Sequence, residues 1–294
     1  MLHKPDHLRA STLGPLEPSR VCTHLFRRAS VEYDIVRLEG GEEGVEEIIQ
    51  RCREIEARCW RTDTEFRAYA YASHRLLVAR ADGGIVGFVL LRHWVEQGAG
   101  LVEVRELMVL PEFQGRGIGR RLGWAGTWSV YRSYLEQASA TQLGVLALSG
   151  NPKVLLFAKH VARILTTSSF QPSQREEDIA ASYLQREGYK PLVSGSAIFV
   201  QGAFPRAYRG QSPPSERKIR GLRNVLPDGF DGQTRGDAMV VLLLGRKNWL
   251  LHAGLVAIML KEFGPGCFLS VHRPRRASSV PGGAVAGGQF DLGA

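Results

Sequence analysis

The stretch "PEFQGRGIGRRL", residues 111–122, sets Gly115, Gly117 and Gly119 on alternate positions, with Arg116 among them and a helical run behind. Glycines between a strand and a helix let the backbone come close to a ligand. The free N–H groups of the first helical turn then point outward and favour negative charge. Such a segment reads as a pyrophosphate cradle, and three other readings compete with it. A Walker loop ends Gly-Lys-Ser/Thr, whereas this one ends Gly119, Arg120, Arg121, with no hydroxyl for magnesium. A dinucleotide fingerprint needs G-x-G-x-x-G at a first strand–helix turn and an acid about 20 residues later. Here the spacing is G-x-G-x-G, a meander precedes it, and no acid follows the next strand. The third competitor is a glycine turn that binds nothing.

Upstream, "RLLVARADGGIVGFVLLRHW" (75–94) is two apolar runs parted by Asp82, Gly83 and Gly84, a hairpin signal. A further strand at 101–110 leads to Pro111 and the glycines. Earlier still, "YDIVRL" (33–38) predicts a strand, and residues 42–60 predict an amphipathic helix whose Val45, Ile48, Ile49, Cys52, Ile55 and Cys59 share a face. A short helix is expected from Asp63 to about Ser73.

Downstream of the loop, a helix is predicted over 117–135, a strand over 142–148, and helices from Asn151 and over 175–189. Strands follow at 196–204 and 238–245, separated by a Pro-, Gly- and Arg-rich stretch, 205–237. Antiparallel strands that feed one strand–loop–helix–strand crossover predict a mixed α/β domain.

The net charge is +9, from 38 basic and 29 acidic residues, which admits an anionic partner. The basic residues, mostly arginines, are scattered, and this argues against nucleic acid. Cys22, Cys52, Cys59 and Cys267 form no CxxC pair and have no histidine at zinc-ligand spacing, so no metal is expected and a reduced, cytoplasmic setting fits. The apolar stretch 238–260 is cut by Arg246, Lys247 and Asn248, which excludes a membrane span there. The segment "WLLHAGLVAIML" (249–260) is expected to be a core helix, with a dimer-forming helix as its rival; monomer and homodimer both stay open.

Gln114, Gly117 and Gly119, after the acid-bearing strand "VEVRELMVLPEF", resemble the signature of the GNAT superfamily of acetyl-CoA-dependent N-acetyltransferases, and the likeness extends over about 32–204. The resemblance implies an α/β (α+β) fold: a mixed, mostly antiparallel central sheet, helices on both faces, and a splayed strand pair forming the CoA cleft. It implies a domain over 31–245 carrying the long basic loop 205–237, a flexible tail 1–30, a C-terminal helical extension 246–272 and a disordered tail 273–294. By the same resemblance the amides of Gly115, Arg116, Gly117, Ile118, Gly119 and Arg120 hold the CoA pyrophosphate beside Gln114. The backbone of Leu107, Met108 and Val109 aligns the pantetheine, and Asn151 contacts the cofactor.

Amide formation from a thioester needs an uncharged amine, an oxyanion stabiliser and a proton for the departing thiolate. Glu103 and Glu106 lie on the strand that ends at the loop; three apart, they are expected on opposite faces. Glu106 matches the family's acid before the apolar triplet and is preferred to Glu103 as base. Seven residues past Asn151, where relatives place a tyrosine acid, stands Ala158. Tyr183, followed by Gly188 and Tyr189, gives a second alignment and becomes the candidate acid, with Tyr208 and His160 as weaker ones. Trp60, Asp63 and Glu65 at the first helix junction are the candidate acceptor site for a primary amine of a small molecule, peptide or protein. The alternative is a non-catalytic acyl-CoA-binding module that acts through an anionic partner.

Overall fold

The computed structural model describes residues 22–36, 38, 44–59, 75–135, 140–151, 154–156, 173–192, 198–203, 226–232, 235–246 and 248–265. Its strands are β1 (Cys22–Arg28), β2 (Val31–Val36), β3 (Arg75–Ala81), β4 (Gly84–Glu96), β5 (Ala99–Val109), β6 (Gln142–Ser149), β7 (Phe199–Val200) and β8 (Ala238–Arg246). They form one sheet in the order β1-β2-β3-β4-β5-β6-β8-β7. Every pairing is antiparallel except β5 with β6, which is parallel.

Local chemistry explains the meander. Asp82 and Gly83, at φ +50° and +79°, make the two-residue turn that joins β3 to β4, and Gln97 and Gly98, at +50° and +72°, repeat it between β4 and β5. Left-handed residues at both turn positions match the strand twist. A parallel partner cannot be reached by such a turn. The chain therefore leaves β5 through the loop and helix α2 before it returns as β6.

Four helices are described: α1 (Val45–Cys59), α2 (Ile118–Leu135), α3 (Gln174–Glu187) and α4 (Trp249–Phe263). Helix α2 lies on one face, where a Cβ at Gly100 would meet the Tyr134 ring at 3.0 Å and one at Gly126 would meet Leu91 Cδ1 at 2.7 Å. Helix α3 lies on the other, its Ile179 packed with Ala99 and Leu101. It opens on Ser173, whose side chain and that of Glu176 form a reciprocal capping box. Helix α4 packs on α2 and β1, with Phe263 stacked on Phe26 at 4.5 Å between centroids. The expected mixed sheet with helices on both faces is the observed one.

Some boundaries differ from the expected ones. Residues 22–28, assigned to the N-terminal tail, form the edge strand β1 and bury Phe26. Of the strand expected over 196–204, the described residues form the short strand Phe199–Val200. On α4, Leu251, Leu255, Met259 and Phe263 are core, while Trp249 and Leu250 stay exposed. The end of the basic stretch is pinned: buried Asp237 accepts the amides of Gly202 (3.1 Å) and Asp231 (3.0 Å) and the Arg235 guanidinium (2.8 Å). Arg235 is thus an internal ion pair; Arg206, Arg209, Arg217, Lys218, Arg220 and Arg223 lie outside the described residues. Among the described residues no helix is long and apolar enough to cross a membrane.

Gly87 on β4 is the tightest backbone constraint beside the loop, since an added Cβ would sit 2.8 Å from the Met108 carbonyl oxygen. Backbone cannot yield as a side-chain tip can. Gly87→Ala is therefore expected to cost about 1–3 kcal/mol in urea unfolding, and an unchanged midpoint would contradict this packing.

Candidate active site

Strand β5 stays paired with β4 from Ala99 to Val109, but with β6 only from Ala99 to Val104. Strand β6 meanwhile keeps β8 as its partner as far as Ser149. Beyond Val104 the two parallel strands part, and the β5 edge formed by Leu107, Met108 and Val109 borders the gap. A bulge marks the place: Leu90 pairs with Glu106 and Leu91 with Val104, so Arg105 is the extra residue. An extra residue bends its strand and increases local twist. Across the gap the wall is fixed by a backbone crossing, for a Cβ at Gly150 would lie 2.4 Å from the Asp237 carbonyl oxygen. Next to it Asn151 donates its amide to Ser149 Oγ at 3.1 Å, and its carbonyl accepts the amides of Val154 and Leu155.

The glycine loop stands at the mouth of this gap. Residues 111–113 make one 3-10 turn, and the Gln114 side-chain amide donates back to the Val109 carbonyl at 3.0 Å, fastening loop to strand. Cys59 of α1 donates to the same carbonyl from its thiol at 3.5 Å. Gly115 and Gly117 are left-handed, at φ +78° and +76°. A Cβ at Gly115 would meet nothing within 4 Å, so the backbone there is approachable. Gly117, whose carbonyl accepts the Arg121 amide at 3.1 Å, occupies the N-cap of α2 and has no side chain with which to cap it. The amides of Ile118, Gly119 and Arg120 belong to the first turn, which no helix satisfies internally. Gly119 serves packing instead: its Cβ would lie 3.0 Å from Leu107 Cδ2, so the helix start sits directly on β5.

The first turn of α2 has no acid; it carries Arg120 and Arg121. Cations oppose the dipole at a helix N-terminus, and an anion bound there reverses that cost. Arg116 is drawn aside, its guanidinium 5.0 Å over the Phe113 ring.

The two glutamates do not take opposite faces as their spacing predicts. Gly100 and Leu107 both face α2, against Tyr134 and Gly119 respectively. With Arg105 bulged between them, Glu103 and Glu106 share the face away from α2. Their surroundings nevertheless differ. Glu103 is buried, accepting Arg92 Nε at 2.8 Å and the Tyr183 hydroxyl at 2.9 Å, while Arg92 also binds Glu187 at 2.5 Å. Burial, followed by the Glu103 charge, pushes the Tyr183 hydroxyl above its ordinary pKa. The structure joins these two candidates to each other.

Glu106 is half-buried and faces Glu56 of α1, with which it shares a hydrogen bond. Burial first, then the Glu56 charge, raise its pKa well above the usual carboxylate range, against the pull of Arg105. Glu56 is absent from the sequence-based candidates although a signal was present: an acid set between Cys52 and Cys59 on the apolar stripe, and buried like them. Trp60, Asp63, Glu65, Ala158, His160 and Tyr208 lie outside the described residues.

A carboxyl whose pKa rises on folding contributes stability that is full below its unfolded value and is lost as pH climbs through the folded value. Glu106 should therefore make the protein less stable as pH rises above about 4.3. Glu56→Gln removes the neighbouring charge, so the decline in unfolding free energy above about pH 4.3 should be shallower than in the wild type. An equal or steeper decline would show that the two carboxyls are not coupled.

Residues 72–146, from just before β3 into β6, match the family model described as an acetyltransferase (GNAT) domain. No curated protein matches the chain in sequence. Among solved structures, Arabidopsis thaliana Naa50 in complex with the bisubstrate analogue CoA-Ac-MVNAL aligns at 14% identity over 73% of this chain and 98% of that one, with a TM-score of 0.34. A GNAT family acetyltransferase from Elizabethkingia anophelis with acetyl-CoA bound aligns at 13% identity over 74% and 99%, TM-score 0.34. The ribosomal-protein-alanine N-acetyltransferase from Brucella melitensis biovar Abortus 2308 aligns at 21% over 49% and 96%, TM-score 0.30. The matched segment, built as hairpin, bulged strand, glycine loop and helix, is thus similar to an acetyltransferase (GNAT) domain.

Proposed function

We propose that the protein is an acetyl-CoA-dependent N-acetyltransferase that lets a primary amine attack the thioester directly in a ternary complex. The observation that carries this reading is the open, uncapped glycine loop at the mouth of the β5–β6 gap, with Gly115 and Gly117 left-handed and Arg120 and Arg121 in the first turn. The amides of Gly115 to Arg120 would take the pyrophosphate, and the backbone edge at Leu107 to Val109 would hold the pantetheine and polarise the acetyl carbonyl. Asn151, on the far wall, would contact the same cosubstrate.

Glu106 is the preferred base, because Glu103 is already committed to Arg92 and Tyr183. An alkylamine reaches the site mostly protonated. A carboxyl held above its ordinary pKa is closer to the amine in proton affinity and so is a better acceptor. Acceptor contacts are assigned to Trp60, Asp63 and Glu65, and the setting to the cytoplasm. One observation favours the second reading, a non-catalytic acyl-CoA-binding module: the Tyr183 hydroxyl is held inward by Glu103.

Thermal unfolding with and without acetyl-CoA tests the first half of the proposal. Ligand at a hundredfold over Kd should stabilise the native state by about 2.7 kcal/mol, and no shift at saturation would sink both CoA readings. Thiol release with a panel of amines tests the second half. Glu106→Gln should lower turnover by roughly 10²–10⁴-fold and leave the acetyl-CoA shift in place; a shift without thiol release for any amine would favour the binding module.

A further inference from the structure

Two helices of this fold carry charges of the wrong sign at their ends. Helix α2 begins with Arg120 and Arg121, and the last turn of α4 carries Glu262. Each opposes its own helix dipole. Across the α2–α4 interface they meet: Arg120 Nη2 lies 3.0 Å and Arg121 Nε 3.7 Å from the same oxygen, Glu262 Oε2. The Glu262 side chain is 7% exposed, and Met259 and Phe263 beside it are core residues, so its carboxylate is fixed by the packing of α4.

The same guanidinium groups reach the glycine loop. Arg121 Nη1 donates to the Arg116 carbonyl at 3.2 Å. At Gly117 the nearest atoms to an added Cβ are Arg120 Nη2 and Arg121 Nη2, both at 3.7 Å. Two guanidiniums gathered at one point repel each other unless a counter-charge holds them. One carboxylate against two cations leaves a net positive charge facing the loop.

We infer that Glu262 is a positioning residue for the anion site: it holds Arg120 and Arg121 over the N-cap of α2, so that the C-terminal helix completes the phosphate-binding loop. This rests on the reading that the loop takes the CoA pyrophosphate. Glu262 itself touches no ligand. It acts by keeping the two arginines aimed where phosphate oxygens arrive.

The test is titration calorimetry on the full chain with acetyl-CoA and with S-acetylpantetheine, which lacks the pyrophosphate. Glu262→Gln is expected to weaken acetyl-CoA about tenfold, the scale of one lost charge-assisted hydrogen bond, and to leave S-acetylpantetheine unchanged. An unchanged acetyl-CoA Kd overturns the inference, as does tighter binding, which would make Glu262 a competitor of the phosphates. An equal loss for both ligands also overturns it, by showing general damage to the cleft. If Glu262→Gln does not fold, Glu262→Asp keeps the charge and withdraws it by one methylene; a several-fold loss confined to acetyl-CoA supports the inference and an unchanged Kd overturns it. Wild-type protein that binds no acetyl-CoA refutes the underlying cosubstrate reading instead, a result distinct from all of these.

Discussion

A strand inside a sheet can satisfy both neighbours only while its two edges advance in step. Strand β5 does so up to Val104, where Arg105 enters as one residue too many for β4, and from there it keeps β4 and gives up β6. Strand β6 has β8 on its far side and stays in the sheet. The gap is therefore a wedge, each of whose strands keeps a hydrogen-bonded neighbour on its far side. About that wedge lie the loop at its mouth, Asn151 on one wall, and the carboxyls of β5 on the face turned from α2.

The wedge is also polarised. At the loop, Arg120 and Arg121 crowd a helix N-terminus that has no acid in its first turn. On the face turned towards α1, Glu56 and Glu106 bring two carboxyls together, and burial and the Glu56 charge disfavour charge on Glu106. An anion is favoured at one place and a cation, or a proton, at the other. On the proposed reading, a donor carrying phosphates and an acceptor carrying an ammonium group suit these two places in that order.

Much of this was legible in the chain. The Asp82–Gly83 turn, the strand that leads to Pro111 and the alternate glycines each have a local cause that composition reveals, and they appeared where expected. The bulge did not: "VEVREL" breaks its alternation at the polar pair Arg105–Glu106, but an extra residue exists only relative to β4. That one non-local fact turned Glu103 and Glu106 onto the same face. Strand β1 was hidden for a related reason: "CTHLFRR" has few apolar residues, and its Phe26 finds its partner in Phe263, far along the chain. The pairing of Glu262 with Arg120 and Arg121 likewise exists only once α4 lies on α2.

The missing tyrosine at Ala158 loses its force once the protons are followed on the proposed reading. An alkylammonium gives up two protons on its way to an amide. The first must leave before attack, and Glu106, with its raised proton affinity, is suited to take it. The second becomes acidic when the nitrogen bonds to the acetyl carbon, at the moment the sulfur departs. A thiolate of pKa about 8.5 accepts that proton readily near neutral pH, from the nitrogen or through water, and needs no phenol to supply it. Tyr183 can then remain where its hydroxyl is found, donating to Glu103 and holding that carboxylate out of the reaction. The chain Tyr183–Glu103–Arg92–Glu187, buried at its first two members, is in this view the frame that braces α3 against β5, and it leaves Glu106 as the carboxyl of β5 able to exchange a proton with the acceptor.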